Sequence, residues 1–407
     1  MTSPGLFVAP PDGRTWRIAT CWRGPPATAG QMIGELPDAT SRSFHADLWA
    51  PCTAQCTIDG RSASAAYLQE LSQDLILWRW NPINSRYDIM FRGPIGVSED
   101  TISETTHAVN VQAADYRAML GRVIYNAPRT FTQADQFGIV NNFILPLTSG
   151  QRQPNLGFTG LASLNPDGSN LGFTGVLRDR AYTGAEKTMD MLDNLSQVIN
   201  GFDYAIEPLD PSQVSVAQQT GYPIMWYPQR GVTKAFVAEY GVTVGSLTRT
   251  VNSTEFGNWV RVDGQNNDDG SPMFATSIGD VWNNPQLHAE GLWQTGQSEA
   301  DVSIQSTLQQ TADGQLALMS QLIPSYTVNL TPGVWNSKAD CWLGDTIELR
   351  VHTGRLDVDT SVRILAFDFT IDDAGVERIA LTVGRSEVTF SSIMADQRAR
   401  LDALSRR

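Results

Sequence analysis

The chain has 407 residues, of which 41% are hydrophobic and 18% are charged, and this composition excludes a disordered chain and predicts several folded domains. Its 43 acidic and 29 basic residues give a formal net charge of -14, which opposes non-specific binding to nucleic acid or to an anionic membrane. No apolar run is long enough to span a bilayer, and the amino terminus lacks the pattern of a secretion signal. We therefore expect a soluble protein that is made in a cytoplasm.

Residues 1 to about 122 are predicted to be mostly β-strand. The runs rich in β-branched and aromatic residues are "RTWRIATCW", "AQCTIDG", "DLILWRW" and "YDIMFRGPIGV". "NPINSR" at residues 81–86 separates the last two runs and predicts a hairpin turn. Between the strands, "SASAAYLQELSQDL" predicts one short helix, because Ala66, Leu68 and Leu71 have helical spacing.

Helix signals strengthen after about residue 129. Thr132 is followed three places later by Asp135, and this pair predicts a helix cap. Thr183 and Glu186 form a second capping box. The apolar stripe that follows it has helical spacing and consists of Met189, Leu192, Leu195 and Ile199. Gly201 predicts the end of this helix, and "FDYAIEP" predicts a strand after it.

The hexamer "NLGFTG" occurs twice, at residues 155–160 and 170–175. Two copies are too few for a solenoid, in which repeats need stacked neighbours. "NPDGSN" between the copies favours a tight turn, so we predict a hairpin or a packed loop. The alternative is a sugar-contacting loop that uses Phe158 and Phe173.

Strand character continues from about residue 222 to 262, with "PQRG" as a turn. "QNNDDGSP" is predicted to be a polar loop, because its acidic residues lack the spacing of a calcium loop. "EADVSIQSTLQQTADGQLALMSQL" predicts a helix. Residues 324–386 contain four strand-like runs, with "DDAG" as a hairpin turn, and are expected to close into a small barrel. Residues 387–407 are predicted to form a carboxyl-terminal helix.

The sequence shows no signature of a catalytic or metal site. It contains no nucleophile elbow, phosphate loop or zinc-binding helix motif, and we predict no catalytic residue, cofactor or metal. A glycosidase pair of carboxylates stays open, because two acidic residues can come from any part of a sequence. His45, Cys52 and Cys56 are close enough for a zinc alternative, but no second cluster follows them. We expect the cysteines to be small apolar core residues.

The order of several segments resembles minor tail proteins of long-tailed phages that infect actinobacteria. These segments are "DLILWRWNPINSRYDIMFRGPIG", "VNVQAADYRAMLGRVI", "TFTQADQFGIVNNFI", "VLRDRAYTGAEKTMDMLDNLSQVINGFDYAIEP", "EFGNWVRVDG", and the run from "WLGDTIELRV" to "ALTVG". The resemblance covers residues 14–385. This family is similar to the baseplate hub, or upstream tail-associated, proteins of other tailed phages.

The resemblance implies a β-rich α+β protein in which two small antiparallel β-barrels flank mixed inserted domains. The first barrel would span residues 1–122 and be completed by strands at about 222–262. Residues 123–221 would form an inserted mixed domain, residues 263–323 a second domain with a helix, and residues 324–386 the second barrel. Three copies would form a ring whose six barrels match a sixfold tail.

The implied role is structural and belongs to the distal tail tip of the virion. The homotrimer would close the tail tube, dock on the distal tail ring, contact the tape measure protein and carry downstream fibre or receptor-binding proteins. DNA would pass through the lumen without specific binding, and the net charge suggests an acidic lumen. The alternatives are a carbohydrate-binding tail-tip module that uses Phe158 or Trp335, and a cell-wall hydrolase.

Overall fold

The computed structural model describes residues 10, 13–23, 31–124, 128–140, 158–163, 174–196, 201–208, 222–251, 253, 256–267, 269–278, 291–298, 305–320 and 324–384. The strands are β1 (Trp16–Trp22), β2 (Met32–Glu35), β3 (Thr40–Asp47), β4 (Thr53–Asp59), β5 (Gln73–Asn81), β6 (Arg86–Ile102), β7 (His107–Ala114), β8 (Arg129–Asp135), β9 (Phe158–Ser163), β10 (Leu177–Tyr182), β11 (Asp203–Ile206), β12 (Tyr222–Tyr227), β13 (Thr233–Glu239), β14 (Val244–Thr250), β15 (Trp259–Asp263), β16 (Phe274–Ile278), β17 (Gln294–Ser298), β18 (Ser325–Leu330), β19 (Thr346–Thr353), β20 (Leu356–Ile371) and β21 (Glu377–Gly384). The helices are α1 (Tyr116–Leu120), α2 (Thr188–Ser196) and α3 (Gln305–Met319), with a helical stretch at 136–140. This part of the chain is β-rich with few helices, as predicted. None of its helices is both long and apolar enough to cross a membrane.

The chain divides into two compact units. Unit one contains Met1–Thr248 and Tyr326–Val383, and unit two contains Arg249–Ser325 and Gly384–Arg407. In unit one, the main path of a 13-stranded sheet runs β14-β18-β21-β20-β3-β4-β7-β6-β5-β1-β2, and β19 joins β13 to β20. The two predicted barrels therefore share one sheet through the β20–β3 pair, and no sheet closes on itself within the described strands.

A three-stranded motif occurs at both ends of the chain. β6 pairs with β5 as far as Pro94 and with β7 from Ile95 onward. β20 changes in the same way from β19 to β21 after Arg363. In both long strands a β-bulge follows the change of partner directly, at Gly96 and at Leu365. Each long strand thus passes from one part of the sheet to another at an equivalent point.

Both motifs contribute to one aromatic core. Trp335 is 1% exposed, and its ring lies 5.3 Å from that of Phe369. Phe369 stacks on Phe44 at 5.7 Å, and Phe44 packs against Phe91 at 5.7 Å. Because each such ring pair contributes about 0.5–1.5 kcal/mol beyond its burial, this cluster holds the amino-terminal and carboxyl-terminal strands together.

Residues 116–208 supply a second hydrophobic cluster of unit one. Its buried members include Tyr116, Leu120, Phe137, Ile139, Val140, Met191, Leu192, Leu195, Phe202 and Tyr204. Ahead of α2, the Glu186 carboxylate accepts hydrogen bonds from the N–H groups of Thr183, Gly184 and Ala185. The predicted pairing of Thr183 with Glu186 is therefore present, but it does not cap the helix, because α2 begins only at Thr188. Leu192 and Leu195 are buried as predicted, and Ile199 lies outside the described residues.

The helix predicted within residues 62–75 is wrong. The segment forms only a 3₁₀ turn at Ala65–Tyr67, and β5 begins at Gln73. Leu71 has a φ of 61°, which interrupts any helix. The Gln73 side chain accepts from the N–H of Gln69 at 3.2 Å and donates to the carbonyl of Tyr67 at 2.6 Å. These hydrogen bonds satisfy backbone groups that a helix would otherwise pair.

The helix cap predicted at Thr132 is also misplaced. Thr132 lies inside β8, and the helical stretch begins directly after Asp135. The Asp135 carboxylate accepts from the N–H of Phe137 at 2.9 Å, so Asp135 is itself the cap. Alternating β-branched and aromatic residues keep the preceding segment extended, where it pairs with β10.

Unit two contains a three-stranded sheet covered by a helix. β15 pairs antiparallel with β16 and parallel with β17. The buried side chains that join the sheet to α3 are Val260, Val262, Ala275, Leu308 and Ala312. The predicted helix is confirmed, and the predicted polar loop lies between β15 and β16, where Asn267 donates from its backbone to Ser271 at 2.8 Å.

The strands between residues 222 and 262 pair differently from the prediction that they complete the first barrel. β12 pairs with β11 and β9, β13 with β19, and β14 with β18. β15 belongs to unit two. Segment order along the chain does not reveal such long-range partners, because β13 and β19 are more than a hundred residues apart. The predicted carboxyl-terminal helix at 387–407 and most of the repeated hexamer lie outside the described residues.

Candidate assembly surfaces

A polar groove of about 980 Å³ lies on the outer face of β20, β3, β4, β7 and β6. Side chains alternate along these strands, so that Phe44, Ala54 and Phe369 point into the core. The polar side chains at the centre of the groove are Ser43, His45, Thr53, Gln55, Gln112, Asp368 and Thr370. Arg42, Arg122, Asp372 and Asp373 also line it, so charges of both signs are present. The surface offers many hydrogen-bonding groups without a dominant charge.

His45 forms an ion pair inside this groove. Its Nδ1 lies 2.7 Å from an oxygen of Asp368, and its Nε2 lies 3.6 Å from an oxygen of Asp47. Hydrogen bonding to Asp368, supported by Asp47, raises the pKa of His45 to about 9. His45 is therefore protonated at neutral pH and offsets carboxylate charge at the centre of the groove.

The second half of β6 is an exposed strand edge. From Ile95 to Ile102 it pairs with β7 on one side and has no second neighbour among the described strands. The loop before β5 lies beside it, because Leu71 donates from its backbone to the carbonyl of Ile95 at 2.9 Å. Large exposed hydrophobic residues surround this edge, namely Tyr67, Leu71, Val97 and Ile102. We call them the β6 edge patch.

The other edge lies at β14, which ends the main path of the sheet and pairs with β18. The turn before β14 is held by hydrogen bonds from Thr331 N–H to the Thr243 carbonyl at 2.9 Å and from Gly241 N–H to the Val244 carbonyl at 2.9 Å. Large hydrophobic residues are exposed here too, namely Tyr240 and Val242. Both open edges therefore combine backbone groups able to pair with apolar side chains.

The two long strands, β6 and β20, have the same register with their hairpin partners, but only β20 is paired on its other side as well. Ile95–Ile102 runs opposite residues 113–107 of β7, and Ile364–Ile371 runs opposite residues 383–377 of β21, with the bulge at the same step. On its other side, β20 is paired with β3. Ile371 is 1% exposed, whereas its counterpart Ile102 is 70% exposed. The first motif thus leaves open the position that β3 occupies in the second.

Arg79 joins the amino-terminal and carboxyl-terminal strands. Its guanidinium donates to both carboxylate oxygens of Glu377 at 2.8 Å, and the two side chains are 8% and 15% exposed. It also donates to the carbonyls of Trp335 and Asn336, and it lies 4.6 Å from the ring of Trp335. The planar guanidinium has several N–H groups that donate in fixed directions, so arginine can form all of these hydrogen bonds at once and lysine cannot.

A close backbone crossing fixes the start of β13. Gly231 and Gly344 have φ values of 92° and 86°, and a Cβ on either residue would overlap the backbone of the other segment. Arg363 donates to the carbonyls of Arg230 at 2.9 Å and of Gly344 at 3.1 Å. It also pairs with Asp203 of β11, so one side chain ties the inserted segment to β20.

The structure does not bring together the residues that the sequence suggested for a carbohydrate-binding or zinc-binding site. Trp335, which the carbohydrate-binding alternative required, is buried and cannot contact a sugar. Cys52 and Cys56 are free thiols, and burial raises their pKa values well above the ordinary range. His45 bonds to carboxylates instead of joining those cysteines. Within the described part of the chain, no group of three or more His, Cys, Asp and Glu residues is placed to hold a metal ion.

This chain is similar in fold to several proteins of known structure. No family model matches the sequence, and no curated protein matches it. The 43 kDa tail protein of prophage MuSo2 from Shewanella oneidensis superposes with a TM-score of 0.58 at 12% identity, covering 91% of this chain and 98% of that one. A tail protein from Neisseria meningitidis MC58 gives 0.54 at 9% identity, with 92% and 97% covered. Prophage tail protein gp18 from Listeria monocytogenes gives 0.51 at 14% identity, with 95% and 99% covered. The chain therefore has the fold of these tail proteins along nearly its whole length.

Proposed function

We propose that this chain is a structural subunit of a phage tail, three copies of which form a ring at the distal tip. The ring closes the tail tube, contacts the distal tail ring and the tape measure protein, and carries downstream fibre or receptor-binding proteins. The fold shared with prophage tail proteins supports a tail role. We further propose that the chain is not an enzyme and that other tail proteins provide any cell-wall cleavage.

The observation that supports a ring is that the two long strands, β6 and β20, are not paired with neighbouring strands to the same extent. β3 covers β20, while the equivalent side of β6 and the outer side of β14 are open in the described sheet. Pairing β6 of one copy with β14 of the next would continue the sheet between copies. Such a contact joins two different surfaces, and a heterologous contact closes into a ring when its rotation permits. Three copies with two motifs each present six similar units to a sixfold tail.

The exposed hydrophobic residues support the same contact. The β6 edge patch would meet Tyr240 and Val242 of the neighbouring copy, and both groups would leave water. Exposed apolar patches beside unpaired strands favour aggregation unless a partner covers them. The interface thus uses two surfaces that no strand in the described part of one chain covers.

The polar groove would line the lumen of this ring. Its amide and hydroxyl groups, and the neutralising His45–Asp368 pair, make it a weakly charged surface. The proposed lumen lining thus has charges of both signs, whereas the net charge of the chain suggested an acidic lining. A lumen of this kind lacks the dense positive charge that would retain a phosphate backbone, so DNA passes without specific binding.

Substitution of Ile102 by Asp tests the ring. Ile102 is exposed in the single chain, so the change leaves the subunit folded but places a charge in the proposed interface. Ile83→Asp is the matched control, because Ile83 is 60% exposed in the β5–β6 turn and lies outside the proposed contact. We expect I102D to lower the number of copies per particle at least about tenfold, the effect of about 1.4 kcal/mol. Equal incorporation of I102D and I83D would contradict the proposal.

A further inference from the structure

The small sheet of unit two packs on α3 with one face and carries exposed side chains on the other. Val260, Val262 and Ala275 are at most 2% exposed and belong to the core with α3. Because side chains alternate along a strand, the positions between these residues lie on the opposite face. We call this the open face, and it includes Trp259, Arg261, Phe274, Ile278, Gln294 and Gly296.

Gly296 leaves one position of the open face without a side chain. It is the middle residue of β17 and pairs with Arg261 in a ladder whose register has no bulge. A Cβ placed on Gly296 would meet no atom within 4 Å beyond its chain neighbours, so neither crowding nor a bulge requires glycine here. Glycine inside a strand is otherwise typical of a position that a ligand or another backbone approaches closely. The backbone at Gly296 is therefore suited to direct contact with a ligand.

The charged groups beside Gly296 neutralise each other. The Arg261 guanidinium binds one oxygen of Asp263 at 2.7 Å and 2.6 Å, and it lies 4.3 Å from the centre of the Phe274 ring. A guanidinium has several N–H donors, so Arg261 can bind Asp263 and a ligand together. Gln294 is exposed on the neighbouring strand, and its amide both donates and accepts. These groups suit a ligand that is polar and uncharged.

Aromatic rings stand at both ends of the open face. Trp259 begins β15, and Phe274 begins β16 opposite Asp263, so the two rings are four positions apart along β15. This separation is about 13 Å at the usual rise of a strand. Phe274 is 42% exposed, and Trp259 is half-buried. The face of each ring can pack against C–H groups, and only an elongated ligand reaches both rings.

We propose that the open face of unit two binds a neutral oligosaccharide. The two rings pack against the C–H faces of separate sugar units, and Arg261, Asp263 and Gln294 bind hydroxyl groups of the unit that lies on Gly296. A protein partner fits less well, because charged residues are depleted from the centre of protein interfaces. A sugar instead offers a hydroxyl group to each polar side chain. The site belongs to unit two alone, so this inference does not depend on the proposed ring.

Substitution of Gly296 by Val tests the site by filling it. Valine suits a strand, and the added side chain has space within the subunit, so the fold is retained. Gly34→Val is the matched control, because Gly34 is an exposed glycine of β2 and an added Cβ there also meets no atom within 4 Å. Calorimetry on the purified full chain measures binding of neutral hexasaccharides of glucose, galactose, mannose and N-acetylglucosamine. We expect wild type and G34V to bind at least one of these probes equally, and G296V to bind it at least about tenfold more weakly.

Phe274→Ala is a second variant that removes one ring instead of filling the site. It should weaken binding of the same probe about tenfold, with circular dichroism as the check that the fold is kept. Absence of binding by wild type to every probe at millimolar concentration would overturn the inference, as would equal affinities of G296V and G34V. Loss of self-association in G296V, without sugar binding by wild type, would overturn it too and assign the open face to a contact between copies.

Discussion

Replacement of Arg79 by Ala tests whether one buried ion pair holds the two ends of the chain together. Arg79 and Glu377 are 8% and 15% exposed and form two hydrogen bonds of 2.8 Å. The change leaves the Glu377 carboxylate and the Trp335 and Asn336 carbonyls without this donor. Removing one partner of such a pair costs about 3–5 kcal/mol, so we expect R79A to lower the free energy of unfolding of unit one by this amount.

The assay is chemical denaturation followed by circular dichroism, with hydrogen exchange to locate the loss in β5 and β21. Arg86→Ala is the control, because Arg86 pairs with Asp88 at 2.9 Å but its side chain is 60% exposed. An exposed pair of this kind contributes less than about 1 kcal/mol. Arg79→Lys should recover only part of the stability, since lysine cannot form the bidentate pair. A loss below about 1 kcal/mol for R79A would refute the reasoning.

The remaining predictions concern the backbone crossing and the groove. Gly231→Ala should destabilise unit one by more than about 3 kcal/mol, because the φ of Gly231 and its contact with Gly344 both exclude a Cβ. Gly314→Ala in α3 should instead stabilise this helix by up to about 1 kcal/mol. Thermal unfolding measures both changes. His45 has a folded pKa of about 9 against an ordinary value of 6.5, so its stabilising contribution is complete below about pH 6.5 and is lost as pH rises through 9. The unfolding temperature of wild type should therefore fall between these values more than that of His45→Asn, and parallel curves would contradict the role given to the Asp368 pair.

Local turns and caps could be predicted from the sequence because they depend on neighbouring residues. "NPINSR" does separate two paired strands, with Asn81 opposite Arg86. "DDAG" closes the β20–β21 hairpin, where Asp372 accepts from the N–H groups of Gly375 and Val376. Glu186 does bind the N–H of Thr183, as the predicted box requires, although the pair forms a turn and α2 begins only at Thr188. In each case the hydrogen bonds lie within five residues of one another.

The features that organise the assembly surfaces depend on residues far apart in sequence. Arg79 and Glu377 are separated by 298 positions, and neither residue is distinctive by itself. Trp335 lies in a polar, glycine-containing segment that resembles an exposed loop, yet it is buried against Phe367 and Phe369. The bulged turning point of β6 had a local signal in "RGPIG", because glycine and proline mark a break in strand pairing. That signal could have separated the two halves of β6.

An image of the intact particle at a resolution that traces strands tests the central claim most directly. The account predicts three copies of this chain in one ring, with the second half of β6 in each copy paired to β14 of the next and with Ile102 buried between them. A different copy number, or a ring in which these two edges remain apart and exposed, would contradict it.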